Sequence, residues 1–306
     1  MRGFLLRALT FVALQMLIGV AVWFGCPRQS DHYAAASIDK RQRLASAPSP
    51  RIVFVGGSST SFGFDSRVFG DTKYTSVNMG HNRGLGLPFM VRQAAAGLRQ
   101  GDLVIVSPEY ELLWGEGSDR TLITHIEHDP ACARYLNFET TQRLMDGGLI
   151  WLALKLRCAL HNSATDPVLL FTRSSFDASG DFAAHRGKPR RPHTAALGGW
   201  PEADALNAQP AIAELNWMAD RCDEVGARCV FAFAPLREER HQIAADSARR
   251  LEALIRAGSR LAVVLSIEDS LHPGSEFFDI GAHLVESAAT SRTQQLRRVL
   301  LPESRR

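Results

Sequence analysis

Ile52-Val53-Phe54-Val55-Gly56-Gly57-Ser58 joins an unbroken apolar run to two glycines and a serine. Isoleucine, valine and phenylalanine in a row are typical of a strand that is buried on both faces of a parallel sheet. Two consecutive glycines are expected to end such a strand sharply. Binding sites of open parallel sheets gather beyond the carboxyl ends of the strands, so Ser58 stands where chemistry is expected.

Four further apolar segments repeat this pattern along the chain. After a first strand at 51–57, the sequence predicts strands at 74–78, 102–107, 228–234 and 261–266. Segments with helical spacing of apolar residues lie between or after them, at 84–98, 205–225, 238–258 and 284–301. Alternating strands and helices indicate parallel βαβ units. The predicted fold class is therefore α/β, with three α/β/α layers around a mostly parallel five-stranded sheet.

Two regions fall outside this alternation. Residues 111–204 contain a predicted helix at 149–160 and a stretch rich in Gly, Pro and Ser at 174–200, and we interpret them as an insertion that is partly a lid. Residues 27–49 are polar and contain many Ala, Ser and Pro residues, which predicts a linker with one short helix. The division is thus an anchor at 1–26, a linker at 27–49 and one domain at 50–306.

The N-terminus carries an apolar run at 8–24, preceded by Arg2 and Arg7. Its length is close to the roughly 20 residues that cross a bilayer. Such a run is either a cleaved signal peptide or an uncleaved anchor, and the lack of a clean cleavage site favours the anchor. The arginines favour a cytoplasmic N-terminus. In a bacterium, the chain would then be a single-pass inner-membrane protein with its domain in the periplasm.

Charge and metal-ligand patterns exclude several classes of partner. The net charge of +3 on 306 residues is too small to indicate a nucleic-acid partner. A basic cluster at 186–193 is either a solvated loop or a surface for anionic lipid or polysaccharide. His125 and His128 have a spacing that zinc can use on a helix, but no third ligand follows, and we expect a surface pair. No metal and no cofactor are expected.

The five cysteines allow two disulfides in an oxidising compartment. Cys222 and Cys229 are predicted to be close across Gly226, which would leave Cys132 to pair with Cys158. The alternative is that all of the cysteines are free and buried.

A second group of polar residues, Asp279-Ile-Gly-Ala-His283, lies near the C-terminus. Serine, histidine and aspartate are the parts that allow a neutral hydroxyl to attack an ester. His283 follows the last predicted strand and precedes the last helix, so it is expected at the same sheet edge as Ser58. Asp279 would reach His283 if the intervening segment is a turn.

These segments resemble the blocks of the SGNH/GDSL hydrolase superfamily. Gly56-Gly57-Ser58 is similar to its first block, Gly-Asp-Ser, with glycine in place of the aspartate. Its second block supplies an oxyanion glycine, which Gly80 or Gly84 could match. Its third block, usually Gly-x-Asn-Asp, corresponds to Ser107-Pro108-Glu109-Tyr110, which lacks the asparagine. Asp279 and His283 match the last block with one extra residue between them.

The resemblance spans roughly residues 50–110 and 228–300, and it is greatest to the membrane-anchored, outward-facing branch that includes polysaccharide O-acetyltransferases and esterases. It implies a flavodoxin-like sheet, with Ser58 as nucleophile, His283 as general base and Asp279 as the group that orients the imidazole. It also implies a set of oxyanion and substrate contacts: Gly57, Gly80, Asn82, Gly84 and Glu109.

The implied function is a membrane-anchored serine ester hydrolase or O-acyltransferase. Its expected substrate is an acylated, mainly acetylated, carbohydrate of the cell envelope or a small ester. The altered blocks leave an alternative, in which a catalytically inactive relative serves other proteins of envelope polysaccharide or lipid biosynthesis and export as a partner.

Overall fold

The computed structural model describes residues 2–25, 30–115, 117–148, 151–153, 155–156, 170–191 and 199–301. Its strands are β1 Arg51–Val55, β2 Thr75–Asn78, β3 Leu103–Val106, β4 Arg228–Ala232, β5 Leu236–Arg237, β6 Ala262–Leu265 and β7 Leu271–His272. Five of them form one parallel sheet in the order β2-β1-β3-β4-β6, while β5 and β7 pair separately. The predicted α/β class and five-stranded sheet are confirmed.

The two central strands of the sheet, β1 and β3, are completely buried, which is why their sequences are continuous apolar runs. Every residue of β1 and β3 is buried, because helices cover both faces of these strands. Val53 lies opposite Val77 of β2 and Val104 of β3 in the parallel registers. The observed strands lie within the predicted ones, and all but the second are at least one residue shorter at the carboxyl end.

Ten helices are described with defined bounds: α1 Arg2–Gly25, α2 Ala36–Ser46, α3 Ser58–Gly63, α4 Leu87–Ala95, α5 Asp119–His128, α6 Phe138–Asp146, α7 Gln209–Val225, α8 Glu238–Ile243, α9 Ala245–Gly258 and α10 Glu286–Leu300. Helices α4, α7 and α9 pack on one face of the sheet, and α10 packs on the other. The helix predicted at 238–258 is two helices, because Ala244 leaves the helical conformation at φ −120°.

Helix α1 is the predicted anchor helix. Its segment Gly3–Ala21 has a mean hydropathy of 2.0 and buries none of its length against the rest of the protein. By length and composition it can cross a membrane.

Residues 30–49, predicted as a linker, pack against the domain. The predicted short helix exists as α2, but Leu44 and Ala47 belong to the main hydrophobic core. Polar residues of α2 are also buried with partners, for example Ser37, which donates to Asp129 Oδ2 at 2.8 Å. The polar composition of this segment suggested that it is solvated. Its hydrogen-bond partners come from distant parts of the chain, so the local sequence could not indicate that these polar residues are buried.

The region predicted as an insertion contributes no strand to the main sheet within its described residues. It contains α5 and α6, then helical residues at 151–153 and 155–156, and turns at 170–191. Most of the helix predicted at 149–160, and Cys158 with it, lies outside the described residues.

The described cysteines are free thiols. Cys222 and Cys229 are close, as predicted, and their thiols share a hydrogen bond rather than a disulfide. Cys132 donates to Asp129 Oδ2 at 3.0 Å and accepts from Gln93.

Candidate active site

Ser58 begins α3 immediately beyond the carboxyl end of β1. Strands β2 and β3 lie on opposite sides of β1, so the chain connections diverge between β1 and β3. Such a topological switch point is where parallel sheets open a crevice for ligands. The Ser58 side chain is partly exposed, whereas its neighbour Ser59 is buried. Ser58 is therefore the serine of this pair that a substrate can reach.

Glu109 reaches Ser58 from the end of β3. Its Oε1 accepts a hydrogen bond from the Ser59 amide at 2.8 Å and another from Ser58 Oγ at 3.3 Å. A Cβ atom at Gly57 would overlap both carboxyl oxygens, so any larger residue there would have to displace the Glu109 side chain. The structure thus brings together Gly57, Ser58 and Glu109.

The Glu109 carboxyl is buried without an ion-pair partner among the described residues. The residue is 2% exposed, and its Oε2 has no hydrogen-bond partner among the described residues. Burial raises the pKa of Glu109, and the hydrogen bond from the Ser59 amide opposes that rise only in part.

Asp279 and His283 form a hydrogen-bonded pair in a tight turn. Asp279 Oδ1 lies 2.7 Å from His283 Nδ1 and also accepts the Ile280 amide. The turn is closed by a bond from the Phe278 amide to the His283 carbonyl at 2.7 Å. The segment is therefore the turn that the sequence required for these two side chains to meet.

The Asp279 carboxyl is held in its ionised form. Burial alone would raise its pKa, but the hydrogen bond and the charge of His283 outweigh burial and lower the pKa of Asp279. An ionised Asp279 can only accept from His283, so Nδ1 is the ring nitrogen that carries a proton toward it. Nε2 is then the nitrogen that is able to accept a proton.

Phe62 connects His283 to the helix that carries Ser58. The rings of Phe62 and His283 stack with centroids 3.9 Å apart and planes at 7°. Because Phe62 follows Ser58 by four residues, both lie on one face of α3. His283 Nε2 is buried and has no hydrogen-bond partner among the described residues. In the resting arrangement the Ser58 hydroxyl donates to Glu109, not to His283.

The predicted oxyanion glycines have different positions. A Cβ at Gly80 would overlap the Ser61 amide, so Gly80 lies against α3, but its own amide donates to Asn78 Oδ1 at 2.8 Å. Gly84 packs on Thr121 of α5, and its amide donates to Asn82 Oδ1. Gly80 therefore borders the serine helix, whereas Gly84 and the Asn82 carbonyl are engaged in a turn of their own.

A cavity of about 190 Å³ opens beside Asn82. It is lined by His32, Tyr33, His81, Arg120, Thr124 and His125, among others. Sequence reasoning missed this cavity because two of its walls, His32 and Tyr33, come from the segment predicted as a linker.

Burial favours the neutral form of the histidines that line the cavity. His81 and His125 are buried edge to face at 4.9 Å. Burial lowers the pKa of His125 to about 4 and that of His81 well below its usual value. The expectation of a surface pair at 125 and 128 is wrong for His125, since its side of α5 faces the core. Within the described residues, no group of three His, Cys, Asp or Glu side chains is placed to hold a metal ion.

The segment 170–191 is fixed on both sides of the site. Asp181 accepts from Asn78 Nδ2 at 2.8 Å, and Lys40 donates to the carbonyls of Asn78 and Gly180. Arg190 donates to the Phe277 carbonyl at 2.7 Å, next to the Asp279 turn. The part of the basic cluster that is described is therefore a bonded structural segment, and residues 192–193 lie outside the described chain.

Arg292 also contributes to this edge of the sheet, and the sequence analysis did not identify it. It lies buried on α10 and donates to the carbonyls of Gly63 and Phe233 and to Ser107 Oγ. Gly63 ends α3, while Phe233 and Ser107 directly follow β4 and β3, so one guanidinium links three segments at the carboxyl edge of the sheet. Burial lowers the pKa of Arg292 to about 9.

No protein-family model matches the chain, and no curated protein matches it significantly. The assignment of the site therefore depends on its own geometry.

Proposed function

We propose that the protein is a membrane-anchored serine ester hydrolase or O-acyltransferase of the SGNH type. The observation that carries the proposal is the buried Asp279–His283 pair, stacked on Phe62 of the helix that Ser58 begins. It supplies an oriented imidazole, packed on the helix that begins with a partly exposed serine. This combination is the general requirement for a serine nucleophile.

The reaction follows from these roles. The Ser58 side chain rotates from Glu109 toward His283, which is a change between staggered rotamers. Its oxygen attacks the acyl carbonyl while His283 Nε2 takes the hydroxyl proton and Asp279 stabilises the imidazolium. His283 then protonates the leaving alcohol. Water or a sugar hydroxyl completes the cycle by taking the acyl group from Ser58.

The substrate side of the proposal is an acylated carbohydrate of the cell envelope. Helix α1 would hold the domain against a membrane, and Arg2 and Arg7 favour a cytoplasmic N-terminus with the domain in the periplasm of a bacterium. The cavity beside Asn82 offers neutral imidazoles, hydroxyls and an arginine, which are groups that hydrogen-bond sugar hydroxyls.

A fluorophosphonate probe tests the proposal. Wild-type protein is expected to be labelled at Ser58, and Ser58→Ala is expected to lose the label. Ser59→Ala is the matched control, because Ser59 is adjacent but buried, and it should remain labelled. Folding of each variant is checked by thermal unfolding. Folded wild-type protein that takes no label contradicts the enzyme proposal.

A non-catalytic partner protein of envelope polysaccharide or lipid biosynthesis is the second candidate function. The observation that favours it is the resting hydrogen bond of Ser58 to Glu109, together with the occupied amides of Gly80 and Gly84. The labelling experiment distinguishes the two candidates.

A further inference from the structure

Helix α6 carries two strongly exposed apolar side chains. Among the described residues outside α1, the three most exposed large apolar side chains are Phe138 at 87%, Ile243 at 79% and Met145 at 76%. Phe138 and Met145 are seven residues apart, which puts them on one face of α6. The opposite face is packed, since Thr140 and Arg143 are buried. Helix α6 therefore packs on the domain through one side and leaves an apolar pair uncovered by the described chain on the other.

The uncovered pair lies on the side of the domain that the chain enters from α1. Arg143, late in α6, has its Nε 3.1 Å from Asp119 Oδ1 at the start of α5. Helix α6 thus runs back along α5, and Phe138 at its start lies toward His128 at the end of α5. The imidazole of His128 stacks on that of His32, with ring centroids 4.0 Å apart. Phe138 is therefore on the same side of the domain as His32.

Leu156 adds a third apolar side chain to this side. It is 44% exposed and belongs to the helical residues that follow α6. Its neighbour Lys155 forms an ion pair with Glu127, and Trp151 Nε1 donates to the same carboxylate at 3.1 Å. Glu127 lies in the last turn of α5, so Leu156 is held near that end of the helix. We call Phe138, Met145 and Leu156 the α6 surface.

A short tether joins this side of the domain to α1. Asp31 is fixed to the domain, because its carbonyl accepts the Arg173 amide at 2.9 Å and its Oδ1 accepts the Ser174 amide at 2.7 Å. Asp31 follows Gly25, the last residue of α1, by six residues. A chain of that length reaches at most about 20 Å in any conformation. With α1 across a bilayer, Asp31 therefore lies within about 20 Å of the end of the membrane-spanning helix.

We propose that the α6 surface contacts the lipid bilayer that α1 spans, with its three apolar side chains inserted among the headgroups and upper acyl chains. The inference rests on the membrane-anchor part of the proposed function and not on its chemistry. A domain of this length is about 50 Å across, so a tether of about 20 Å keeps the side around Asp31 toward the bilayer. Apolar side chains on that side gain free energy by burial in the interface.

The tether also explains how so few apolar residues suffice. A surface of three apolar side chains on an untethered protein is too small for stable membrane binding. A short tether holds the surface beside the lipid at high effective concentration, so the contact becomes an intramolecular step. His32 also lines the cavity beside Asn82, so a domain docked in this way would hold that cavity near the membrane surface.

Photocrosslinking of the full-length chain tests the contact. The benzophenone amino acid p-benzoylphenylalanine replaces Phe138 or Met145, and the protein is reconstituted in vesicles of phosphatidylcholine and phosphatidylglycerol. Irradiation attaches the benzophenone to a C–H bond that touches it, and mass spectrometry identifies the adduct. We expect phospholipid adducts at both positions. Both side chains are exposed, so the replacements leave the core unchanged.

Ile243 provides the matched control. Its side chain is about as exposed as those of Phe138 and Met145, but it lies on α8, which packs on β5 and β7 after β4 and β6. Helix α2, which follows the tether, packs at β2, the other edge of the sheet. The same replacement at position 243 is therefore expected to give severalfold fewer phospholipid adducts.

Extraction with alkaline carbonate shows independently whether the chain is integrated in the vesicles. In an integrated chain, as few adducts at 138 and 145 as at 243 overturn the membrane contact while the anchor stands. Crosslinks from 138 and 145 to a second copy of the chain, in place of lipid, overturn it as well. A chain that carbonate removes contradicts the anchor, and the contact fails with it. The fluorophosphonate label at Ser58 reports separately on the proposed chemistry.

Discussion

The two ends of strand β3 carry buried acids with opposite surroundings. Asp102 precedes the strand and faces Arg51, whose Nε lies 3.1 Å from Oδ1, and both side chains are fully buried. It also accepts the amides of Arg51 and Arg99. Glu109 follows the strand with one amide, one hydroxyl and one oxygen without a partner. The chain itself bonds both oxygens of the acid at the amino edge, whereas the acid at the carboxyl edge keeps one buried oxygen without a partner among the described residues.

The largest effect should come from breaking the paired end. In Asp102→Ala, the Arg51 guanidinium is left as an uncompensated buried charge, so we expect a loss of about 3–5 kcal/mol in the free energy of unfolding. Urea titration measures this loss. Labelling of the remaining folded protein at Ser58 should be unchanged, and reduced labelling per folded molecule would show that the two ends are coupled.

The next effect concerns the close approach of Gly57 and Glu109. Gly57→Asp places side-chain atoms in the space of the Glu109 carboxyl and is expected to cost about 1–3 kcal/mol of stability, as overpacking does. The double variant Gly57→Asp with Glu109→Asn shortens the opposing side chain and should recover part of that loss. Equal urea midpoints for the single and double variants would contradict a steric contact between the two positions.

Ionisation of Glu109 gives a smaller, pH-dependent effect. Its pKa is raised in the folded protein, so the folded state binds its proton more strongly than the unfolded state, and this contribution to stability is lost as pH rises from about 4, its unfolded pKa, through the folded pKa. Glu109→Gln cannot ionise. Its melting temperature relative to wild type should therefore increase from acid toward neutral pH, and a constant difference would mean that Glu109 is ionised in the folded state.

At acid pH, we expect the segments around the carboxyl edge of the sheet to lose local stability before the amino edge does. Burial lowers the pKa of His125 and of His185 to about 4, whereas an unfolded histidine titrates near 6.5. Between these values the unfolded state binds more protons, so stability decreases as pH falls from about 6.5 toward 4. Hydrogen exchange corrected for the intrinsic pH effect should increase first at 170–191 and α5, while β1 stays protected. Uniform loosening would contradict this order.

The sheet could be predicted from the sequence because its signal is local. The runs in β1, β3 and β4 are apolar over whole strands, and burial on both faces leaves that record in the sequence. Asp279 and His283 were also predictable as a pair, since four residues of turn suffice to bring them together.

What the sequence did not reveal depends on contacts between distant segments. Arg292 lies on a helix with several charged residues and looks solvent-exposed, yet three carbonyl or hydroxyl partners from other elements bury it. Tyr33 joins the site wall through a hydrogen bond to the His81 carbonyl at 2.9 Å, although the composition around Tyr33 suggested a linker. The role of Gly57 was equally hidden, since only the approach of Glu109 from β3 explains it.

Trapping of an acyl-enzyme tests the central claim most directly. Protein mixed with nitrophenyl acetate is quenched in acid within the first turnovers, digested and mapped by mass spectrometry. We predict one acetyl group on Ser58, lost in Ser58→Ala and strongly reduced in His283→Ala. An unmodified Ser58 in folded wild-type protein, or equal acetylation with and without the His283 imidazole, would contradict the account.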